Sequence, residues 1–256
     1  MPRASRIFLS IALSLAGVAS AAAQPDTTQA LADLFPHATL SGTVAVQGKI
    51  ERVQPWRSAT FHWHHQAWKL FLVQGMPLSG GKPADYQASS AWISGIWYQK
   101  TAHGWQAAGK AYNFAAVGDY GKAHGKGPFP RKFTSPHGVL LPTQDHYMAQ
   151  GTQGFSQDLF IFTGKHLRET ALISGLNNVG ACGFSGSGCP ASHYQGQVTA
   201  VDIAPTGQVA RIALQYQGTL ANRPLPATTC AFHELPKNQW QPIGSCMPYQ
   251  YQQQHD

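Results

Sequence analysis

The chain is poor in charged residues, and in acidic ones above all. Charged residues make up 11% of its 256 residues, with 11 Asp and Glu against 18 Lys and Arg; about a quarter is usual for a soluble domain. Long solvent-exposed helices depend on Glu and Lys, so this composition favours strands with uncharged polar surfaces. The formal net charge of +7 is too small and too scattered to predict a nucleic-acid partner.

Long apolar runs are missing after residue 23, which argues against a transmembrane anchor. The first 23 residues do carry a leader pattern, with Arg3 and Arg6 before the apolar stretch Ile7–Val18 and a small-residue cleavage site at Ala21–Ala23. We therefore predict a signal peptide over residues 1–23 and a periplasmic or secreted mature protein. Losing the two leader arginines lowers the net charge from +7 to +5.

Cysteine is scarce and confined to the last third of the chain, at Cys182, Cys189, Cys230 and Cys246. In an oxidising compartment four cysteines predict two disulfides, with three pairings open. Because short loops close most readily, we favour Cys182–Cys189 and Cys230–Cys246. A structural zinc site is the alternative, but the gap between Cys182 and Cys189 is wider than such sites use.

Strand signals dominate the mature sequence. Alternating apolar and polar residues separated by turn residues recur along it, most clearly in 197–204 and 208–216 around Pro205-Thr206-Gly207. The pattern predicts an all-β fold, an antiparallel meander in the form of a sandwich, a barrel or propeller-like blades. One short helix is expected near the mature N-terminus, from Thr28 to Phe35.

The domain organisation has two interpretations. Residues 24–256 form a single β-rich domain, or they form two packed halves, 24–116 and 139–248. The joining segment would be 117–138, which contains five glycines and three prolines.

The segment His62-Trp63-His64-His65 is the densest group of metal-ligating side chains. On a strand His62 and His64 would share a face and could bind one zinc or copper ion. The alternative is that they belong to the solvated face of an amphipathic strand.

Tryptophan is concentrated between Trp56 and Trp105, which hold six of the seven in the chain. Such rings either fill a core or form platforms on which sugar rings stack. Trp92 and Trp97 lie five residues apart, on opposite faces of one predicted strand. At least one of them is therefore a candidate binding residue.

A second candidate binding region is the basic loop that contains Lys122, Lys126, Arg131 and Lys132. The glycines next to Lys122 and Lys126 would let backbone N–H groups and lysines surround an anion. A loop kept soluble by its lysines is the alternative.

Two further motifs are open to a catalytic interpretation. Carboxylate pairs for glycoside hydrolysis would come from Asp85, Asp119, Asp145, Asp158 and Glu169, but their spacing does not say which of them meet. The glycine-flanked Ser185 would need a base and an oxyanion hole. A glycine-rich hairpin tip closed by Cys182–Cys189 explains the same segment more simply.

Taken together, these features favour an exported, non-catalytic binding or accessory protein that contacts an envelope or extracellular polymer, neutral or anionic glycan included. The main alternative is an exported hydrolase that uses a metal on His62 and His64. A structural or subunit-interaction protein is the third class.

Overall fold

The structure is a computed structural model that describes residues 23–38, 42–84, 86, 89–149, 151–185 and 189–253. The predicted leader before Ala23 lies outside these residues, as does Asp85. The helices are α1 (Thr27–Leu34), α2 (Val179–Ser185) and α3 (Met247–Gln253). The strands are β1 (Thr43–Val46), β2 (Lys49–Trp63), β3 (Gln66–Ser79), β4 (Lys82–Pro83), β5 (Ala91–Thr101), β6 (Gly104–Val117), β7 (Gly127–Pro128), β8 (Phe133–Ser135), β9 (Gly138–Ala149), β10 (Thr152–Phe162), β11 (Leu167–Asn177), β12 (His193–Ile203), β13 (Val209–Leu220), β14 (Arg223–Leu235) and β15 (Gln239–Ile243).

The strands form two sheets. Sheet A has the order β1-β2-β3-β5-β6, with β4 paired to β3 and β7 paired in parallel to β2. Sheet B has the order β15-β14-β13-β12-β11-β10-β9-β8. Its neighbours follow one another in the chain and pair antiparallel, so the predicted all-β meander is confirmed.

Two-residue turns set the register of several hairpins. Gln47-Gly48, His64-His65 and Ala221-Asn222 each have two consecutive positive φ angles, which match the twist of the flanking strands. In the second hairpin Trp63 pairs with Gln66, so His64 and His65 alone form the turn between β2 and β3.

Helix α1 confirms the short helix predicted near the N-terminus. Asp26 caps it, because its Oδ1 accepts a hydrogen bond of 2.8 Å from Gln29 N. The helix buries Ala30 and Leu34 on the outer face of sheet A. Among the described residues, no helix has the length and apolar character needed to cross a membrane.

Three hydrophobic clusters define the layers. One lies between α1 and sheet A, a second between sheet A and strands β9 and β10, and a third inside sheet B, which folds over itself. The fold in sheet B occurs at the β11–β12 ladder, which pairs only residues 175–177 with 193–195. Strands β9 and β10 are thus covered on both faces.

That double burial explains the continuous apolar runs of the two central strands. Residues Val139–Leu141 and Leu159–Phe162 alternate between the second and third clusters and are fully buried. Further along the same two strands the paired residues are polar, because Thr143 pairs with Asp158 and Asp145 pairs with Ser156. The apolar interior therefore ends where these polar side chains begin.

Both predicted disulfides are present, Cys182–Cys189 and Cys230–Cys246. The expected hairpin tip at the first is wrong, because residues Val179–Ser185 form helix α2. Asn177 Oδ1 accepts from Val179 N, and Cys182 N donates to Asn178 O, so local hydrogen bonds favour a helical turn. Residues 186–188 lie outside the described residues, and so does the Ser185 side chain.

Residues 117–138 connect the sheets, since β6, the last long strand of sheet A, ends at Val117 and β8 begins at Phe133. Phe129 of this segment packs in the cluster between the sheets, with its ring 5.8 Å from that of Phe160. The division into two halves remains a prediction.

Candidate metal centre

The loop after β6 carries two polar side chains to the open edge of β9. Beyond Leu140 the described ladders pair β9 with β10 alone. Gly118 begins the loop with a φ of +74°, and a Cβ there would lie 1.9 Å from Lys122 O, so only glycine fits. Its N–H donates a hydrogen bond of 2.7 Å to Asp145 Oδ2, which attaches the loop to β9.

His124 stands at the centre of the cluster. Its Nε2 lies 2.8 Å from Asp119 Oδ1, and its Nδ1 lies 3.0 Å from His146 Nδ1 and 3.1 Å from Asp145 Oδ1. A carboxylate only accepts hydrogen bonds, so Nε2 carries a proton and donates a hydrogen bond to Asp119 Oδ1. In a neutral ring Nδ1 then directs a lone pair at the Asp145 oxygen. A hydrogen bond donated by His146 Nδ1–H, or a cation between these atoms, would satisfy that lone pair.

The surrounding structure holds these groups in place. Asp145 Oδ1 accepts from His146 N at 2.9 Å, while Oδ2 is held by Gly118. The backbone of His124 is fixed by Trp56, whose Nε1 donates to His124 O at 3.0 Å. The Trp56 ring packs against Phe160, 5.6 Å away, so the core between the sheets positions the histidine.

The donor atoms have the spacing that a transition-metal ion needs. Bonds of about 2.0–2.2 Å place two ligand atoms roughly 3.0 Å apart at right angles and roughly 3.4 Å apart at tetrahedral angles. The measured separations of 3.0 and 3.1 Å lie at the lower end of this range. Within the described part of the chain, His124, Asp145 and His146 are the one trio of ligating residues that converges in this way. Asp119 would orient His124, as carboxylates commonly orient metal-binding histidines.

Buried carboxyl groups continue from this cluster across sheet B. By register, Asp145, Asp158 and Glu169 lie on the same face of β9, β10 and β11. Burial and the negative charges of Asp145 and Glu169 raise the pKa of Asp158 well above its usual value. Burial raises the pKa of Glu169 to about 7, although the charge of Arg168 opposes the rise. Four of the five predicted acids therefore lie in one region.

The histidines predicted to bind metal lie elsewhere. His62 is exposed on β2, but β2 ends at Trp63 and His64 occupies the following turn with a φ of +49°. The shared strand face on which that hypothesis depended is therefore absent at His64. Sequence reasoning missed His124 and His146. The only signal was the neighbouring Asp145-His146 pair, and nothing local links it to a histidine in the loop before β8.

The two predicted binding tryptophans have different environments. Trp97 is 3% exposed and packs between the sheets against Phe162, so it belongs to the core. Trp92 is partly exposed, and the Lys49 ammonium lies 3.6 Å from its ring centroid. Of the pair, only Trp92 is accessible to a ligand, and its indole already has a cation over it.

The basic residues also divide into two kinds. Lys132 Nζ donates to Thr60 O, and Arg131 donates to Val198 O and to Gln197 Oε1. Those two side chains attach the loop to both sheets. Lys122 and Lys126 are exposed. The four cations therefore do not gather around one point.

No family model, curated protein or solved structure matches the chain. The functional argument therefore depends on the geometry of the site.

Proposed function

We propose that the protein is an exported metal-binding protein whose centre, formed by His124, Asp145 and His146, holds a zinc or copper ion. The observation that carries the proposal is the convergence of three ligand atoms, two of them 3.0 and 3.1 Å from His124 Nδ1. Imidazole nitrogen with one carboxylate oxygen suits either ion.

Charge and exposure support this assignment. Two carboxylates, Asp119 and Asp145, contact one imidazole, so the site has an excess of negative charge unless a proton or a cation joins it. The His124 side chain is 24% exposed and that of Asp145 is 15% exposed, so solvent reaches the ligands. Three protein ligands leave a coordination position for water or for a group of a bound partner.

Export is supported by the leader pattern and by the two disulfides, which are typical of proteins that fold in oxidising compartments. An exported protein with an accessible metal can bind oxygen-rich groups of an extracellular polymer through the open position. We therefore retain the polymer-binding hypothesis as binding through the metal.

Metal titration of the purified protein, freed of metal by a chelator, tests the proposal. We expect one equivalent of Zn²⁺ to bind, and we expect His124→Ala and His146→Ala to abolish stoichiometric binding. Asp119→Asn should weaken binding by about 10- to 100-fold, because it removes the group that orients His124.

His62→Ala is the matched control, since His62 is an exposed histidine on a strand outside the cluster. It should bind zinc like the wild-type protein. Loss of zinc in His62→Ala with retention in His124→Ala would overturn the assignment, and so would a wild-type protein that binds no zinc.

A metal-dependent hydrolase is the second candidate function. The specific observation in its favour is the group of carboxyl groups beside the ligands, because burial raises the pKa of Glu169 to about 7, which suits proton transfer near neutral pH. Zinc-dependent release of product from ester, phosphoester or glycoside substrates, lost in His146→Ala, would support it. Zinc binding without turnover of any of these substrates would exclude the hydrolase and leave metal binding as the function.

A further inference from the structure

A second polar site lies where sheet B folds over itself. Strand β12 passes the open edge of β9, and the two strands enclose a pocket of about 200 Å³. Arg131, Thr143, Gln144, Gln157 and Gln197 line it, together with two proline rings. We call it the seam pocket. No carboxylate and no lysine are among its lining residues.

We propose that the seam pocket binds one sugar unit of a saccharide, a ring that carries several hydroxyl groups. The inference goes beyond the metal centre and does not depend on it. Its basis is the set of hydrogen-bonding groups that the protein leaves free in the pocket, and the size and shape of the space.

Gln157 supplies a fixed acceptor. Its side chain is 6% exposed, and its Nε2 donates to Gly196 O at 3.2 Å, so the orientation of the amide is set. The amide oxygen has no hydrogen-bond donor among the described residues, and it is not fully buried either. It is therefore available to a ligand in the pocket.

Arg131 and Gln197 supply a fixed donor on the other wall. Arg131 Nη1 donates to Val198 O at 3.0 Å, and Nη2 donates to Gln197 Oε1 at 3.3 Å. Because its oxygen already accepts from Arg131, the exposed Gln197 amide has its NH₂ group left as a donor for a ligand. Hydrogen bonds to these two carbonyl oxygens position the guanidinium, which forms one side of the pocket.

A pocket that offers both an acceptor and donors suits hydroxyl groups, which donate and accept at once. An apolar ligand would leave the Gln157 oxygen without a hydrogen-bond partner, which is unfavourable. A sulfate or phosphate ion would meet that same oxygen, a second acceptor, and gain only one guanidinium that is already hydrogen-bonded. Hydroxyl groups are the ligand groups that can form hydrogen bonds with both the acceptor and the donors of the pocket.

Size and shape agree with a single sugar ring. The volume of about 200 Å³ is below the roughly 300–1,000 Å³ of pockets for drug-sized ligands, as expected for a site that takes one small ring. Pro130 and Pro142 offer apolar surfaces to the C–H face of such a ring. Gln144 and Gln197 are exposed at the rim, so a chain can continue from the bound unit into solvent.

Titration of the full-length protein with neutral monosaccharides and short oligosaccharides, followed by nitrogen-15 NMR of the glutamine side-chain amides, tests the proposal. We expect saturable shifts of the Gln157 and Gln197 amides. Gln197→Ala and Gln157→Leu should each weaken binding about fivefold, the equivalent of one hydrogen bond of about 1 kcal/mol.

The exposed Gln106→Ala on β6 of sheet A is the matched control and should bind like the wild-type protein. If Gln157→Leu fails to fold, Gln144→Ala and Gln197→Ala decide the question, because both positions are exposed. The proposal is overturned if no saccharide shifts these amides, if the pocket variants bind as tightly as Gln106→Ala, or if only sulfate, phosphate or uronic acids bind. Zinc titration of Gln197→Ala should be unchanged, which separates this test from that of the metal centre.

Discussion

Replacing Glu169 with glutamine should change how the stability of the protein depends on pH. Burial raises the pKa of Glu169 from 4.5 to about 7. Between these values the carboxyl group is protonated in the folded protein and ionised in the unfolded chain. The folded state then binds more protons, so the free energy of unfolding falls as the pH rises from about 4.5 to about 7.

The structure sets the size of the effect. A pKa difference of this size corresponds to about 3 kcal/mol when the group is ionised in both states. Because Glu169 is partly exposed, solvent screens its charge, and we expect about 1–2 kcal/mol. Glu169→Gln keeps the shape of the side chain and removes its charge. The variant should therefore match the wild-type protein near pH 4.5 and exceed its stability by about 1–2 kcal/mol above pH 7.

Urea denaturation across this pH range, with metal removed by a chelator, measures the difference. Asp158 also has a raised pKa, so the variant should keep part of the decline. Subtracting the variant from the wild type gives the contribution of Glu169, including its effect on the pKa of Asp158. A difference that stays constant with pH, or that grows as the pH falls, would refute the reasoning.

Three other predictions concern the stability of the fold and of the metal centre. Phe160→Ala should destabilise the protein by about 3–5 kcal/mol in urea denaturation, because its fully buried ring packs against Trp56, Phe114 and Phe129, whereas Phe160→Leu should cost clearly less. Replacing Cys230 and Cys246 together with serine should cost about 3 kcal/mol, since that disulfide closes a loop with a sequence separation of 16; an unchanged urea midpoint would contradict this. Gly118→Ala should reduce both the melting temperature and the zinc affinity, because a Cβ there would lie 1.9 Å from Lys122 O. The control is Gly48→Ala, where a Cβ meets nothing within 4 Å, and it should leave zinc binding unchanged.

Local patterns were enough to predict much of the fold. The hairpin around residues 205–207 and the helix near Thr28 follow from alternation and turn chemistry, which act over a few residues. The disulfide pairing follows from loop length. Helix α2 was missed because its start depends on side-chain and backbone hydrogen bonds at Asn177 and Asn178, which the glycine-rich composition hides.

The site was harder to predict, because its parts meet only after the sheets have packed. His124 reaches Asp145 since Gly118 attaches the loop to the edge of β9 and Trp56 holds the His124 carbonyl. Neither contact has a signature in the spacing of the residues. The local cluster His62-Trp63-His64-His65 was the more visible pattern, but a turn at His64 breaks the strand geometry that it needed.

X-ray absorption at the zinc edge, on protein loaded with one equivalent of Zn²⁺, tests the central claim most directly. The geometry of His124, Asp145 and His146 predicts two imidazole nitrogens and a carboxylate oxygen at about 2.0–2.2 Å, with imidazole scattering that decreases in His146→Ala. A shell of water oxygens alone, or a spectrum that His146→Ala leaves unchanged, would contradict it.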